Sequence, residues 1–147
     1  MPANQNDPFG AFNFLVEIDG ITAAAFTEVS GLEVDVDVIE YREGSDALLG
    51  VRKLPGRIRY SNIVLKRGIT LDSSLWDWIK SVIDGGALQR KNMSIILLDD
   101  QRQPLLRWNV RRAWPRKWTG PALNAKTSEV AIESLEIAHE GLDLVAN

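Results

Sequence analysis

The stretch Leu32–Tyr41 constrains this chain more than any other. Leu32, Val34, Val36 and Val38 point one way, and Glu33, Asp35 and Asp37 the other. A strict period of two fits a β-strand and no helix. It predicts one buried side and one wet, acidic side. The wet side reads either as an ordinary solvated sheet face or as an acidic surface lining a water-filled conduit.

Other segments follow the same logic. Phe12, Phe14, Val16 and Ile18 alternate before Asp19-Gly20, a favoured two-residue hairpin turn, and the return strand is expected over Ile21–Val29. Ile58–Arg67 reads as one strand, and Lys91–Leu98 with Leu105–Arg112 as a hairpin around Asp99–Pro104. One helix is signalled over residues 72–84. Asp72 or Ser73 caps it, Leu75, Trp78, Ile79, Val82 and Ile83 recur at helical spacing, and Gly85-Gly86 stops it. Trp114–Pro121 reads as a stiff, Pro-punctuated crossover. Glu129–His139 fits a strand or a helix equally well by propensity. The total is a mainly β fold, an antiparallel barrel or sandwich of about seven strands with one flanking helix. The length of 147 residues suits one domain, with 1–8 as a loose N-terminal segment.

Residues 42–57 are expected to form a long loop, with three Gly, one Pro and no sustained period. Its centre is apolar rather than solvated. Burying Leu48, Leu49 and Val51 is worth about 5–9 kcal/mol as an upper bound. The loop therefore folds back on its own domain or docks on another subunit.

Charge is segregated. Residues 1–50 carry −9, residues 51–128 carry +11 and residues 129–147 carry −5, for a net charge of −3. Three readings stay open: acidic and basic strands pair inside the fold, copies attract head to tail, or an anionic polymer binds the middle.

Chemistry is poorly represented. There is no Cys, and the one His, His139, lacks a nucleophile to activate. No HExxH, EF-hand, phosphate-loop or GxGxxG spacing occurs. Catalysis, metal and cofactor are therefore not expected. The N-terminus has no basic and apolar export pattern, and apolar runs are too short to span or anchor in a bilayer, so synthesis in a cytoplasm is expected. A competing binding class remains: a monomeric β module holding single-stranded nucleic acid. Arg107, Arg111, Arg112, Arg116 and Lys117 interleave with Trp108, Trp114 and Trp118, as cationic stacking grooves do.

Eight short runs taken in order carry a resemblance: FLVEIDG (14–20), FTEVSG (26–31), IEYREG (39–44), RKLPG (52–56), LKRGI (65–69), LWDWIK (75–80), AWPRKWTG (113–120) and AIESLEIAHEG (131–141). Together they resemble the tail-tube protein family, the inner tubes of contractile phage tails and extracellular contractile injection systems. The chain is more distantly similar to the haemolysin-coregulated protein of type VI secretion.

The resemblance implies a structural subunit without enzymatic activity or cofactor. Such subunits form homohexameric rings that stack into a tube inside a contractile sheath, with a baseplate or hub at one end and a terminator at the other. DNA or a toxin occupies the lumen. The resemblance also favours a strand for Glu129–His139. It places Arg42, Glu43, Asp46, Leu48, Leu49, Val51, Arg52 and Lys53 in an inter-ring loop. On electrostatic grounds a bore for rapid passage should be neutral or acidic, because a basic one would hold DNA. One of two acidic regions is therefore expected to face it: Glu33, Asp35 and Asp37, or the neighbourhood of Glu133 and Glu136.

Overall fold

A computed structural model describes residues 8–11, 13–19, 21, 26–42, 44 and 50–146. In chain order the elements are β1 (Phe14–Ile18), β2 (Glu28–Ser30), β3 (Val34–Tyr41), β4 (Arg52–Tyr60), β5 (Ile63–Gly68), α1 (Ser74–Ile83), β6 (Lys91–Leu98), β7 (Pro104–Thr119), β8 (Ile132–Ala138) and β9 (Gly141–Ala146). Every strand pairing is antiparallel. The mainly β, sandwich-like architecture agrees with the sequence reading; among the described residues there is one helix and the sheets do not close into a barrel.

β7 organises the sandwich. Its first half pairs with β6 and β9, giving the sheet order β1-β6-β7-β9. Its second half, from Trp114, pairs with β8 and continues the order β7-β8-β5-β2. One strand thus serves two sheets, which needs a corner. Arg112 supplies it with φ of 53°, and its N–H donates to Asn92 Oδ1 at 3.1 Å. The expected crossover at Trp114–Pro121 is therefore mostly strand. Pro115, which lacks a ladder donor, stands at a register shift and is fully buried.

The core lies between the two sheets and under the helix. Val16 and Ile18 of β1, Ile63 and Leu65 of β5, Met93 and Ile95 of β6, Val110 and Ala113 of β7, and Leu135 and Ile137 of β8 form one cluster with Leu75 and Trp78. Helix α1 starts because Asp72 Oδ1 accepts the Ser74 N–H at 3.0 Å, while the Ser73 hydroxyl donates to Asp77. It ends before Gly85, whose φ of +72° suits glycine. Trp78 is core, as its spacing implies, and its indole N–H donates to the Gln89 carbonyl at 3.1 Å. Glu129–His139 resolves into strand β8. The Asp99 carboxylate closes the β6–β7 turn by accepting the N–H groups of Gln101 and Gln103, both at 2.8 Å.

Three expectations are corrected. The long loop is shorter than 42–57, because β4 begins at Arg52 and pairs along β3. A strand with a single neighbour tolerates Pro55, and Gly56 makes room for Ile39, whose Cγ1 would lie 2.9 Å from an added Cβ. The single strand expected over Ile58–Arg67 is two, broken at Ser61-Asn62. The return strand over Ile21–Val29 is not a partner of β1 along its length. Ile21 makes one isolated bridge to Ile18, and Glu28–Ser30 pairs with β5, while 22–25 lie outside the described residues. Strand β9 was not anticipated. Gly141–Ala146 is short and mostly exposed, and it is held by pairing with β7 rather than by a strong local pattern.

Candidate functional site

The most unusual surface is the β3–β4 ribbon. Among the described residues, β3 and β4 pair with each other and with no other strand. The alternation of Leu32–Tyr41 predicts a buried side, yet Val34, Val36, Val38, Ile39, Tyr41, Val51, Leu54 and Ile58 are 38–63% exposed. The expectation fails because, among the described residues, no strand or helix covers the ribbon. Isolated two-stranded ribbons are marginal in water, and open edges invite pairing with another chain.

The pleat sorts the side chains. Val34, Val36 and Val38 share a face with Tyr60, Ile58 and Pro55, their register partners. Asp35 and Asp37 lie on the other face with Arg59, and Asp37 Oδ2 accepts from Arg59 at 3.0 Å. The Glu33 carboxylate accepts the Ser61 hydroxyl at 2.9 Å. The three acids thus lie along one side of the ribbon, and Asp37 among them is paired with Arg59. The other acidic region divides. Glu133 is buried and paired with Arg67 at 3.1 Å, and it accepts the Trp118 indole N–H at 3.0 Å. Glu136 is half-buried and accepts from Asn62 at 3.1 Å and from Arg116. Desolvation pushes the Glu136 carboxyl up, but the Arg116 and Asn62 hydrogen bonds and the Arg116 and Lys117 charges outweigh it and hold it below its usual value.

Of the loop residues, Arg42, Val51, Arg52 and Lys53 flank the open end of the ribbon and are exposed. Glu43, Asp46, Leu48 and Leu49 lie outside the described residues. The basic, Trp-containing segment does not assemble a stacking groove. Trp108 and Trp118 pack on the core. Arg107, Arg112 and Arg116 are paired with Glu17, Glu140 and Glu136. His139 is structural: Nε2 donates to the Ser61 carbonyl at 2.9 Å and Nδ1 faces the Gly141 N–H at 3.3 Å.

Among the described residues there is no cluster of His and carboxylates able to hold a metal ion, and no helix long and apolar enough to cross a membrane. An open polar groove of about 550 Å³ is lined by Asp19, Leu88, Gln89, Arg90, Lys91 and Arg112. It lacks the apolar walls of a typical small-molecule pocket.

Comparison with known proteins places this surface in context. A family model described as T4-like virus tail tube protein gp19 matches residues 10–143. A search of curated proteins returns no match. Among solved structures, a chain of the sheath-tube complex of an extracellular contractile injection system, PVC, in its extended state is 29% identical. It aligns over 97% of this chain and 95% of its own, with a TM-score of 0.87. A chain of the anti-feeding prophage tube-terminating cap is 26% identical over 100% and 97%, with a TM-score of 0.87. Hcp1 from Flavobacterium johnsoniae, 15% identical over 92% and 97% with a TM-score of 0.62, shares the fold. A family match over nearly the whole chain, on a scaffold that carries an exposed apolar ribbon, leads to one conclusion: this chain belongs to the tail tube family of T4-like virus gp19, a family of structural tube proteins rather than enzymes.

Proposed function

We propose that this chain is a single-domain inner-tube subunit of a contractile phage tail or of a phage-tail-like extracellular injection particle. Copies close into six-fold rings, the rings stack, and the lumen conducts DNA or protein cargo. A contractile sheath surrounds the tube, and a baseplate and terminator cap its ends. The observation that carries the reading is the β3–β4 ribbon, whose apolar face is exposed and which pairs with no further strand among the described residues. Head-to-tail contacts between unlike surfaces close into rings or continue as stacks, and strands borrowed from neighbours remove open edges. Similarity to PVC and anti-feeding prophage chains favours an injection particle.

Residues 42–53 are assigned to the contact between rings, with Arg42, Val51, Arg52 and Lys53 at its base. Glu33, Asp35 and Asp37 are assigned to the bore. Glu133 is buried, which favours this choice over the neighbourhood of Glu133 and Glu136.

Negative-stain microscopy of the purified protein tests the proposal. Rings or tubes of uniform diameter are expected. Persistent monomers that bind oligonucleotides in a salt-sensitive manner would establish the nucleic-acid reading instead. Deleting Asp46–Val51 should leave the domain folded by circular dichroism while shortening or abolishing stacks. A deletion that unfolds the monomer would make the loop core.

A further inference from the structure

We infer that the ribbon is locked at one angle to the sandwich by a clasp of Gly31, Ser61, Asn62, Glu136 and His139, and that this clasp positions it for assembly. The inference rests on the tube reading for its consequence, but the clasp itself stands on geometry.

Two chain passages join the ribbon to the body: Gly31–Glu33 between β2 and β3, and Ser61-Asn62 between β4 and β5. They touch backbone to backbone. A Cβ on Gly31 would lie 2.0 Å from the Asn62 carbonyl oxygen, and the Gly31 φ is +91°. Only glycine satisfies both conditions. The passages are tied to each other by the Ser61 N–H to the Glu33 carbonyl at 3.4 Å and by the Ser61 hydroxyl to the Glu33 carboxylate at 2.9 Å.

The far end of β8 grips the second passage from the body side. His139 Nε2 donates to the Ser61 carbonyl at 2.9 Å, and the Asn62 amide donates to Glu136 at 3.1 Å. The His139 ring also lies against Tyr60, the last residue of the ribbon, with centroids 5.5 Å apart and planes tilted by 48°. A carbonyl can only accept, so the Ser61 contact requires the proton on Nε2, while Nδ1 lies 3.3 Å from the Gly141 nitrogen and 3.2 Å from its carbonyl oxygen. Consecutive residues Tyr60, Ser61 and Asn62 are thus each held by β8 or the residue just after it. The ribbon has no other strand against it among the described residues, so these contacts set its direction. Fixing a binding element in its bound orientation before association removes an ordering cost from every contact it makes.

The test uses the full-length chain. It contains no cysteine, so Arg57→Cys on the ribbon and Leu123→Cys on the body accept spin labels cleanly. Pulsed electron–electron resonance on dilute monomer should give one narrow distance. His139→Ala and Asn62→Ala should broaden that distribution about two-fold and raise the concentration at which rings appear about ten-fold, with the thermal midpoint of the body little changed. His139→Gln, which keeps a donor toward Ser61, should recover much of both. Asn62 is exposed, so its variant decides the question if His139→Ala fails to fold. Unchanged distances in a folded variant would abolish the clasp. Broadened distances with unchanged ring formation would abolish its role in assembly. A wild-type protein that never assembles would instead overturn the tube reading, while the distance measurement still decides the clasp.

Discussion

At the scale of single residues, the buried ion pair is the strongest local commitment. Arg67 and Glu133 are each 2% exposed. Arg67 reaches Glu133 with Nε, Asp72 Oδ2 with Nη1 at 3.2 Å and the Asp72 carbonyl with Nη2 at 3.0 Å, so β5, β8 and the start of α1 meet on one guanidinium. Removing one partner of such a pair leaves a buried charge uncompensated, so Arg67→Ala, which strands Glu133 without its cation, should cost about 3–5 kcal/mol in urea unfolding. Replacing both with apolar residues, Arg67→Met with Glu133→Leu, should cost less than that single change. Asp72 adds a pH dependence. The Ser74 N–H bond, aided by the Arg67 charge and opposed by a smaller desolvation effect, holds its carboxyl below the ordinary 3.8. A folded-state value below the unfolded one stabilises above pH 3.8, and the benefit is lost as pH falls through the folded value. Thermal midpoints of Asp72→Asn should therefore fall less steeply than wild type through that acid range. Asp72 was legible beforehand as a helix cap; the Arg67–Glu133 pair was not. Glu133 alternates with Ser134 and Leu135 in a pattern that names its strand, but whether an acid on a strand meets water or an arginine depends on β5, which lies more than sixty residues earlier.

At the scale of elements, local periodicity was a good guide to type and a poor guide to partner. The helix over Leu75–Ile83, the hairpin around Asp99–Pro104 and the faces of β1 and β6 all follow from spacing that a few neighbouring residues carry. The single strand expected over Ile58–Arg67 breaks because two passages cross at Ser61-Asn62, a contact with Gly31 that no window of sequence contains. The ribbon makes the sharpest case. Val36 and Val38 alternate as buried residues do, yet they are 44% and 63% exposed. Replacing both with Thr should therefore change monomer stability by less than about 1 kcal/mol, as for surface sites. The same change should reduce ring formation measured by analytical ultracentrifugation. A large loss of monomer stability would show the ribbon to be covered by its own chain.

At the scale of the whole molecule, the segregated charge finds its use inside the fold. Ion pairs join the acidic ends to the basic middle: Glu17 with Arg107, Glu28 with Lys66, Asp37 with Arg59, Glu133 with Arg67, Glu136 with Arg116 and Glu140 with Arg112. Opposite-sign strands pairing internally, the plainest of the three readings, accounts for much of the pattern. Surface pairs of this kind contribute little each and are screened by salt. If the apolar ribbon carries the contacts between copies, tubes should persist in 1 M NaCl, as read by sedimentation. Dissolution by salt would move those contacts to the charges.

Taken alone, the amino-acid order determined the helix and most of the strands, which side chains of β1, β3 and β6 share a face, and, through runs spread from residue 14 to residue 141, the family. It could do so because period, capping and turn chemistry act over a handful of neighbours. Only the tertiary structure decided that β7 turns a corner at Arg112 to serve two sheets, that Glu133 is buried while Asp35 is not, and that the apolar side of the ribbon is exposed among the described residues. Those outcomes depend on which distant surfaces meet, and an alternating pattern states that a face seeks cover without naming what covers it.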